Sequence, residues 1–104
     1  MTTLNVFFTP GARRQLLAAV EFIGRDKPGA AARFHARLLT TLRRLADFPD
    51  SGRTIPEFPR LRFREVSVPP YRCFYSVESE SVWIVGIWHS AQRPTAPGRQ
   101  THST

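Results

Sequence analysis

The chain has 104 residues, of which 41% are hydrophobic and 22% charged, a composition typical of one folded domain rather than a disordered chain. No apolar run approaches the roughly 20 residues that cross a bilayer, and the N-terminus has no secretory signal pattern, so we expect a cytoplasmic protein without membrane contact. Fourteen of the fifteen cationic residues are arginines and the formal net charge is +7, which favours anionic partners such as nucleic acid or an acidic protein.

The N-terminal part predicts a short strand followed by a helix. Residues 4–8, LNVFF, are apolar and β-prone. Thr9 can cap a helix and Pro10 is favoured at the first helical position, so the helix is predicted to begin there. Gly24 is predicted to end it, with residues 25–29 as a turn. One face of this helix consists of apolar residues at helical spacing: Ala12, Leu16, Ala19, Val20 and Ile23.

A second amphipathic helix is predicted from about residue 30 to about residue 47, so that the two helices form an αα-hairpin. Its apolar stripe consists of Ala31, Phe34, Leu38, Leu42 and Leu45. At about 100° per residue, three arginines fall within roughly 40° of each other on a neighbouring face: Arg33, Arg37 and Arg44. Two interpretations of this arginine stripe remain open, a solvated helix surface or a surface that binds nucleic acid or another target.

Three strands are predicted after a proline-containing connection over residues 48–60. The first covers residues 61–68, where a change of the apolar face predicts a β-bulge near Arg64 and Glu65. The second, residues 71–77, alternates regularly and encloses the single cysteine, Cys73, which we expect to be a buried reduced thiol. The third, residues 82–89, is apolar on both faces and is therefore predicted to be a central strand.

The predicted order of elements is β, α, α, β, β, β. The last strand is the most buried and is the natural neighbour of the first. This order predicts an α+β fold, a small curved and mostly antiparallel sheet with the N-terminal αα-hairpin packed on one face. We expect the single domain to span residues 1–94 and residues 95–104 to form a flexible polar tail.

The order and spacing of several short motifs resemble the RelE/ParE superfamily of toxins from bacterial type II toxin–antitoxin modules. The motifs are Leu45-x-x-Phe48-Pro49-x-x-Gly52-Arg53, Pro56-Glu57-Phe58, Leu61-Arg62, Tyr71-Arg72-x-Phe74-Tyr75, and Ile84-Val85-x-Ile87-x-His89 followed by Arg93. The resemblance covers residues 4–94 and implies a growth-inhibitory toxin that a cognate antitoxin neutralises in a hetero-oligomer. Members similar to RelE cut mRNA on the ribosome, whereas members similar to ParE act on DNA gyrase.

RNA cleavage through the 2′-hydroxyl needs a base, an acid and a cation that stabilises the phosphorane. If this chain is a nuclease, the resemblance implies that Arg72 contacts the reacting phosphate and that Glu57 and His89 are further catalytic residues. Each residue also has a structural interpretation. Arg72 could pair with Glu65 across the hairpin, His89 could bond to backbone at a strand end, and Glu57 could be a loop carboxylate.

The C-terminal tail lacks the extra catalytic Tyr or Lys cluster of RelE-like nucleases, which favours a ParE-like inhibitor of DNA gyrase. The alternatives are a metal-independent, RelE-like mRNA endonuclease on the ribosome, a non-catalytic RNA- or protein-binding module and an inactive relic. Beside the arginine stripe, candidate contacts to nucleic acid or the target are Arg62, Arg64 and Arg93. The histidines and the cysteine are too isolated for a metal site and no Gly-rich phosphate loop is present, so no metal or cofactor is expected.

Overall fold

Two helices lie on one face of a five-stranded mixed sheet in the computed structural model, which describes residues 3–97. In chain order the elements are β1 (Asn5–Phe8), α1 (Pro10–Asp26), α2 (Pro28–Asp47), β2 (Arg53–Thr54), β3 (Arg64–Val68), β4 (Tyr71–Glu78) and β5 (Ser81–His89). The strands are arranged as β1-β5-β4-β3-β2, with β1 parallel to β5 and the other pairs antiparallel. The predicted α+β architecture is confirmed, as is the pairing of the first strand with the last.

The predicted start of the first helix is confirmed in detail. Thr9 is the N-cap of α1, and its Oγ1 accepts a hydrogen bond from the Ala12 N–H at 3.1 Å. Pro10 occupies the first helical position, where a backbone N–H would have no partner within the helix. The predicted apolar face of α1 meets the core: Ala12 and Ala19 are buried, and Leu16, Val20 and Ile23 pack against them.

The connection between the helices differs from the predicted five-residue turn. α1 continues through Gly24, and a single residue, Lys27, separates it from α2. Gly24 does not end the helix because it faces the other helix closely: a Cβ added there would lie 3.5 Å from the Ala31 Cβ. Pro28 ends α1 instead, since it has no N–H to donate and forces Lys27 into an extended conformation with φ −144° and ψ 93°.

The sheet face that meets the helices, here named the helix face, carries the main core. On β4 this face consists of Tyr71, Cys73 and Tyr75, all of which are buried. They pack with residues of α2 and β5, among them Phe34, Leu38, Leu45, Val82, Ile84 and Ile87. Cys73 is a free buried thiol as predicted, and burial raises its pKa to about 12.

The opposite side of the sheet, here named the outer face, carries Arg72 and Phe74 of β4. The predicted extended connection folds back over part of this face, so that Ile55, Phe63 and Phe74 form a second buried cluster. Three partly buried residues pack against it: Phe58, Val85 and Trp88. Part of the outer face is therefore covered by a loop rather than by a helix.

The predicted start of the strand after the connection is wrong, and one short strand was not predicted. β3 begins at Arg64 and not at residue 61, because the preceding residues form turns in which the Leu61 N–H donates to the Phe58 carbonyl at 3.1 Å. The apparent change of face arises because Phe63 belongs to the loop cluster and not to a strand. The two-residue strand β2, which pairs with β3, was not predicted, since two residues carry no periodic pattern.

The predicted β-bulge near Arg64 is also wrong, because the irregularity lies in β5. Ile84 and Gly86 pair with adjacent residues of β4, so Val85 is an extra residue in the ladder. An extra residue reverses the alternation of all side chains beyond it. His89, at the end of β5, therefore lies on the helix face in register with Tyr71.

Within residues 3–97 no helix is both long and apolar enough to cross a membrane. The predicted polar tail begins at residue 95, and its residues 98–104 lie outside the described part of the chain.

Candidate functional site

Arg72 lies on the outer face near the start of β4, and two carboxylates hold its guanidinium. Its Nη1 and Nη2 donate to Glu57 Oε2 and Oε1 at 2.8 and 2.6 Å, which is a bidentate fork. Its Nε donates to Glu65 Oε1 at 2.8 Å. The Arg72 side chain is only 14% exposed. The pairing of Arg72 with Glu65 was the structural interpretation of Arg72 in the sequence, beside the catalytic one. Glu57 is a second partner.

Glu65 connects this arginine to a second one. The Glu65 side chain is 4% exposed, and its other oxygen, Oε2, accepts a hydrogen bond from Arg53 Nε at 2.6 Å. The four side chains form one network, here named the charged cluster: Arg53, Glu57, Glu65 and Arg72. The cluster lines a cleft of about 680 Å³ at the β2–β3 side of the sheet.

The charged cluster is close to electroneutral, because two guanidiniums face two carboxylates. The hydrogen bonds from Arg72 lower the pKa of Glu57 to about 2, and they raise the pKa of Arg72 above its ordinary value. Glu57 is consequently a poor base at neutral pH, since a base works best when its pKa lies near the working pH. Arg72 would have to give up these partners before it could hold a phosphate through the same N–H groups.

His89 occupies a different environment on the helix face. Its ring contacts the Tyr71 ring edge-on, with centroids 5.3 Å apart and an interplanar angle of 79°. Its Nδ1 accepts a hydrogen bond from the Ala91 N–H at 3.0 Å, which leaves the proton of the neutral ring on Nε2. The His89 backbone N–H donates to Gln92 Oε1 at 2.9 Å.

His89 lines an apolar cleft of about 450 Å³ between α1 and the end of β5. The other principal lining residues, which define the apolar cleft, are Ala18, Phe22, Tyr71, Ile87 and Trp88. Phe22 is 60% exposed, so this cleft offers a large apolar side chain at the surface. The cleft is therefore a mainly apolar concavity with a large hydrophobic side chain at its rim.

The three predicted nuclease residues do not converge on one point. Arg72 pairs with Trp88 across the β4–β5 ladder, whereas His89 pairs with Tyr71. Adjacent residues of a strand point to opposite faces, so Arg72 and His89 lie on opposite sides of the sheet. Glu57 lies beside Arg72. The structure therefore brings two of the three together and places the imidazole elsewhere.

The other predicted strand and loop arginines are dispersed. Arg62 pairs with Glu78 at 3.2 Å on an exposed surface. Arg64 Nη1 donates to the Gly52 carbonyl at 2.9 Å and so fixes the loop before β2. Arg93 is exposed in the segment after β5 and makes no ion pair or hydrogen bond with any residue from 3 to 97.

The predicted arginine stripe is present on α2. Arg33, Arg37 and Arg44 are all exposed, and Arg37 Nη2 donates to the Pro69 carbonyl at 2.8 Å. Neither Arg33 nor Arg44 has an ion pair or hydrogen bond with the part of the chain that the structure describes. Arg44 reaches the cleft of the charged cluster.

Sequence reasoning did not identify Arg53 and the turn that positions it. The Tyr75 hydroxyl accepts from the Gly52 N–H at 2.9 Å and donates to the Pro49 carbonyl at 2.7 Å. A Cβ at Gly52 would lie 2.5 Å from that hydroxyl and 2.7 Å from the Glu65 carbonyl, so only glycine fits. The Pro-x-x-Gly-Arg spacing was visible in the sequence, but its partner Tyr75 lies 23 residues away.

Among residues 3–97, no group of three or more His, Cys, Asp or Glu side chains is arranged to hold a metal ion. The two carboxylates of the charged cluster bind guanidinium groups instead.

Comparisons with known proteins agree with this fold. The family model described as ParE toxin of type II toxin-antitoxin system, parDE, matches residues 6–94. A curated relative, Toxin RelE2 of Caulobacter vibrioides, is 39% identical over 89 residues, which are 85% of this chain and 97% of that protein. A solved structure described as the chromosomal ParDE TA system from P. aeruginosa has a similar fold, with a TM-score of 0.69 at 15% identity over 84% of this chain and 96% of that one.

The chain therefore belongs to the ParE toxin family of type II toxin–antitoxin systems. The predicted resemblance to the RelE/ParE superfamily is confirmed, and the protein is the toxin of such a system.

Proposed function

We propose that this toxin arrests growth by binding and inhibiting DNA gyrase, and that a cognate antitoxin neutralises it. The observation that carries the proposal is the β4–β5 register, which separates Arg72 from His89 by the thickness of the sheet. A nuclease needs its acid, base and cation around one phosphate, whereas an inhibitor that acts by binding needs only a complementary surface. The separation favours the second mode of action.

The state of the charged cluster also supports this proposal. Arg72 uses both arms and its Nε on carboxylates, and Glu65 is buried between two guanidiniums. Such a neutral, hydrogen-bonded network fixes the positions of its side chains, because the loss of one partner would leave a buried charge unpaired, and it offers little positive potential to a phosphate. We therefore assign the charged cluster a structural role in holding the loop of Glu57 against β4.

The antitoxin is proposed to be acidic and to place apolar side chains in the apolar cleft. The net charge of +7 favours an acidic partner, and Phe22 and Trp88, which line the same cleft, provide apolar contact area. An amphipathic segment lying in a groove is a common way to cover such a surface.

A second candidate function is ribosome-dependent mRNA cleavage. One observation favours it: Glu57 and Arg72, two of the residues that the family resemblance implies for nucleases, are in direct contact. The relative with 39% identity is also named after RelE. Cleavage would require an opening of the Glu57–Arg72 fork and a base other than Glu57 at its present pKa.

Expression of the toxin alone, followed by gyrase assays with purified protein, tests the first candidate. We expect growth arrest that is relieved when the neighbouring open reading frame is coexpressed. We also expect loss of ATP-dependent supercoiling of relaxed plasmid at micromolar toxin, and the same loss with the His89→Gln variant. Unchanged supercoiling, together with ribosome-dependent mRNA cuts that disappear in both Arg72→Lys and His89→Gln, would instead establish the nuclease.

A further inference from the structure

The arginines of α2 have no carboxylate partner among residues 3–97, unlike Arg53 and Arg72 of the sheet. Glu21, Glu57, Glu65 and Glu78 are paired with arginines of α1, β2, β4 and the loop before β3. Residues 28–46 of α2 contain four arginines and no acidic residue. The charges of Arg53 and Arg72 are therefore balanced by carboxylates, whereas those of the α2 arginines are not.

Three of these arginines lie on the same side of the helix. Arg33, Arg37 and Arg44 lie within roughly 40° of one another around α2 and extend over about 16 Å of its axis. A DNA duplex presents one phosphate charge for about every 1.7 Å of its axis, so this length spans several phosphates. The spacing suits a row of contacts to one backbone.

A groove runs beside this row, between α2 and β3. One part, of about 300 Å³, has a floor of the apolar residues Ala36, Val68 and Pro69 and hydrogen-bonding groups from Arg37, Thr40, Thr41 and Ser67. Ser67 also lines the cleft of the charged cluster, which Arg44 reaches, so the two cavities adjoin. The carboxylates of that cleft are bonded to Arg53 and Arg72, and Arg44 lies outside this neutral network. Arginine side chains beside hydroxyl groups are the donors that proteins commonly direct to phosphate oxygens.

We propose that this groove, lined by Arg37, Arg44, Thr40 and Ser67 and named the phosphate groove, binds the sugar–phosphate backbone of duplex DNA without reading its sequence, with Arg33 as a further contact farther along α2. None of the described residues that line the two cavities is aromatic, so the groove has no platform on which unstacked bases of a single strand could lie. Its lining also lacks the large apolar anchor that an acidic protein partner would use. Binding of DNA by this groove does not depend on inhibition of gyrase, because the groove contacts DNA directly.

The test is fluorescence anisotropy of the full chain with a labelled duplex of about 30 base pairs, titrated between about 50 and 200 mM salt. We expect the logarithm of the binding constant to fall with the logarithm of salt concentration with a slope of about −3. Arg37→Gln/Arg44→Gln should weaken binding about tenfold and make the slope shallower by about 2. Arg37→Lys/Arg44→Lys should retain most of the affinity, because a phosphate contact tolerates a point charge.

The matched control is Arg13→Gln/Arg14→Gln on α1, which removes the same charge from an exposed position elsewhere and should change the affinity less than twofold. Since Arg37 also bonds to Pro69, Arg33→Gln/Arg44→Gln provides a second variant with the same expected loss. An equal loss of affinity in the α1 control would overturn the proposal, because binding would then depend on net charge and not on the arginines of α2. Tighter binding of single-stranded RNA, or equal binding of a polyglutamate peptide with the same dependence on Arg37 and Arg44, would overturn the choice of duplex DNA.

Discussion

The two faces of the β4–β5 ladder use neighbouring residues for different purposes. On the outer face, Arg72 is enclosed by Glu57 and Glu65 in a neutral network. On the helix face, one residue away, Tyr71 contacts His89 at the edge of an apolar cleft. The comparison shows that the sheet divides residues of the types found in a nuclease between a charged cluster on one face and an apolar cleft on the other.

The β-bulge at Val85 decides which residues share a face. With an uninterrupted β5, the residues that follow Ile84 at odd spacing, including His89, would lie on the face opposite to Ile84, where Arg72 lies. The extra residue reverses this alternation and brings His89 beside Tyr71. A single inserted residue thus separates the two groups that would otherwise be candidates for acid–base chemistry on one phosphate.

The largest expected effect is on the outer face. Arg72→Met leaves Glu65 buried with Arg53 as its one remaining charged partner among the described residues, and we expect a loss of about 3 kcal/mol in the free energy of unfolding. Urea denaturation followed by circular dichroism measures this loss. Arg62→Met is the matched control, since its pair with Glu78 is exposed and should contribute less than about 0.5 kcal/mol. Equal losses in the two variants would contradict a structural role for Arg72.

The turn behind the charged cluster should be nearly as sensitive. Gly52→Ala places a methyl group 2.5 Å from the Tyr75 hydroxyl, and we expect a loss of about 2 kcal/mol through overpacking. Gly11→Ala is the control, because a Cβ in this helical position has no neighbour closer than 3.8 Å and alanine favours the helix. Thermal or urea unfolding should therefore show a lower stability than wild type for Gly52→Ala and a higher stability for Gly11→Ala. A Gly52→Ala protein as stable as wild type would show that the turn is not held as described.

Acid should weaken the fork between Glu57 and Arg72. The pKa of Glu57 is lowered to about 2 from 4.5, so its stabilising contribution is complete above 4.5 and is lost as pH falls from 4.5 through about 2. Urea midpoints measured over this range should fall more steeply for wild type than for Glu57→Gln. If the urea midpoints of wild type and Glu57→Gln fell in parallel with pH, the fork would not form in solution. Glu80→Gln, on the exposed β4–β5 turn, controls for the removal of one carboxylate.

The smallest effect is expected on the helix face. His89→Gln removes the edge-on contact with Tyr71, which should cost about 0.5–1 kcal/mol of stability. Growth arrest on expression should persist, because the proposed mode of action does not use imidazole chemistry. His35→Gln on the exposed side of α2 is the control for stability. A His89→Gln protein that folds normally but no longer arrests growth would restore His89 to a functional role.

The parts of the fold that the sequence predicts correctly are those that depend on residues close together in the chain. The start of α1 depends on Thr9 and Pro10, which act within one turn, and the apolar faces of both helices repeat at helical spacing. The pairing of β1 with β5 followed from the high apolar content of the last strand. The end of α1 was predicted wrongly because a glycine such as Gly24 is typical of a helix end, whereas the packing of Gly24 against Ala31 depends on the other helix.

The site is less predictable because it depends on contacts between distant residues. The candidate residues Arg72, Glu57 and His89 could be named from motifs, but their faces depend on the bulge at Val85. Gly86 was the available signal, since a glycine inside a strand often marks a bulge or a close approach. Here Trp88 lies over it, and a Cβ at Gly86 would be 3.0 Å from the Trp88 Nε1.

The most direct measurement is a transcriptome-wide map of mRNA 5′ ends in cells that express the wild-type toxin or the His89→Gln variant. If the two faces of the sheet act separately and the toxin works by binding gyrase, neither protein should produce new cuts within codons at the ribosomal A site, and both should arrest growth. Ribosome-dependent cuts that appear with wild type and vanish with His89→Gln would contradict this account, because they would show that the toxin is a nuclease and that His89 on the helix face takes part in the cleavage.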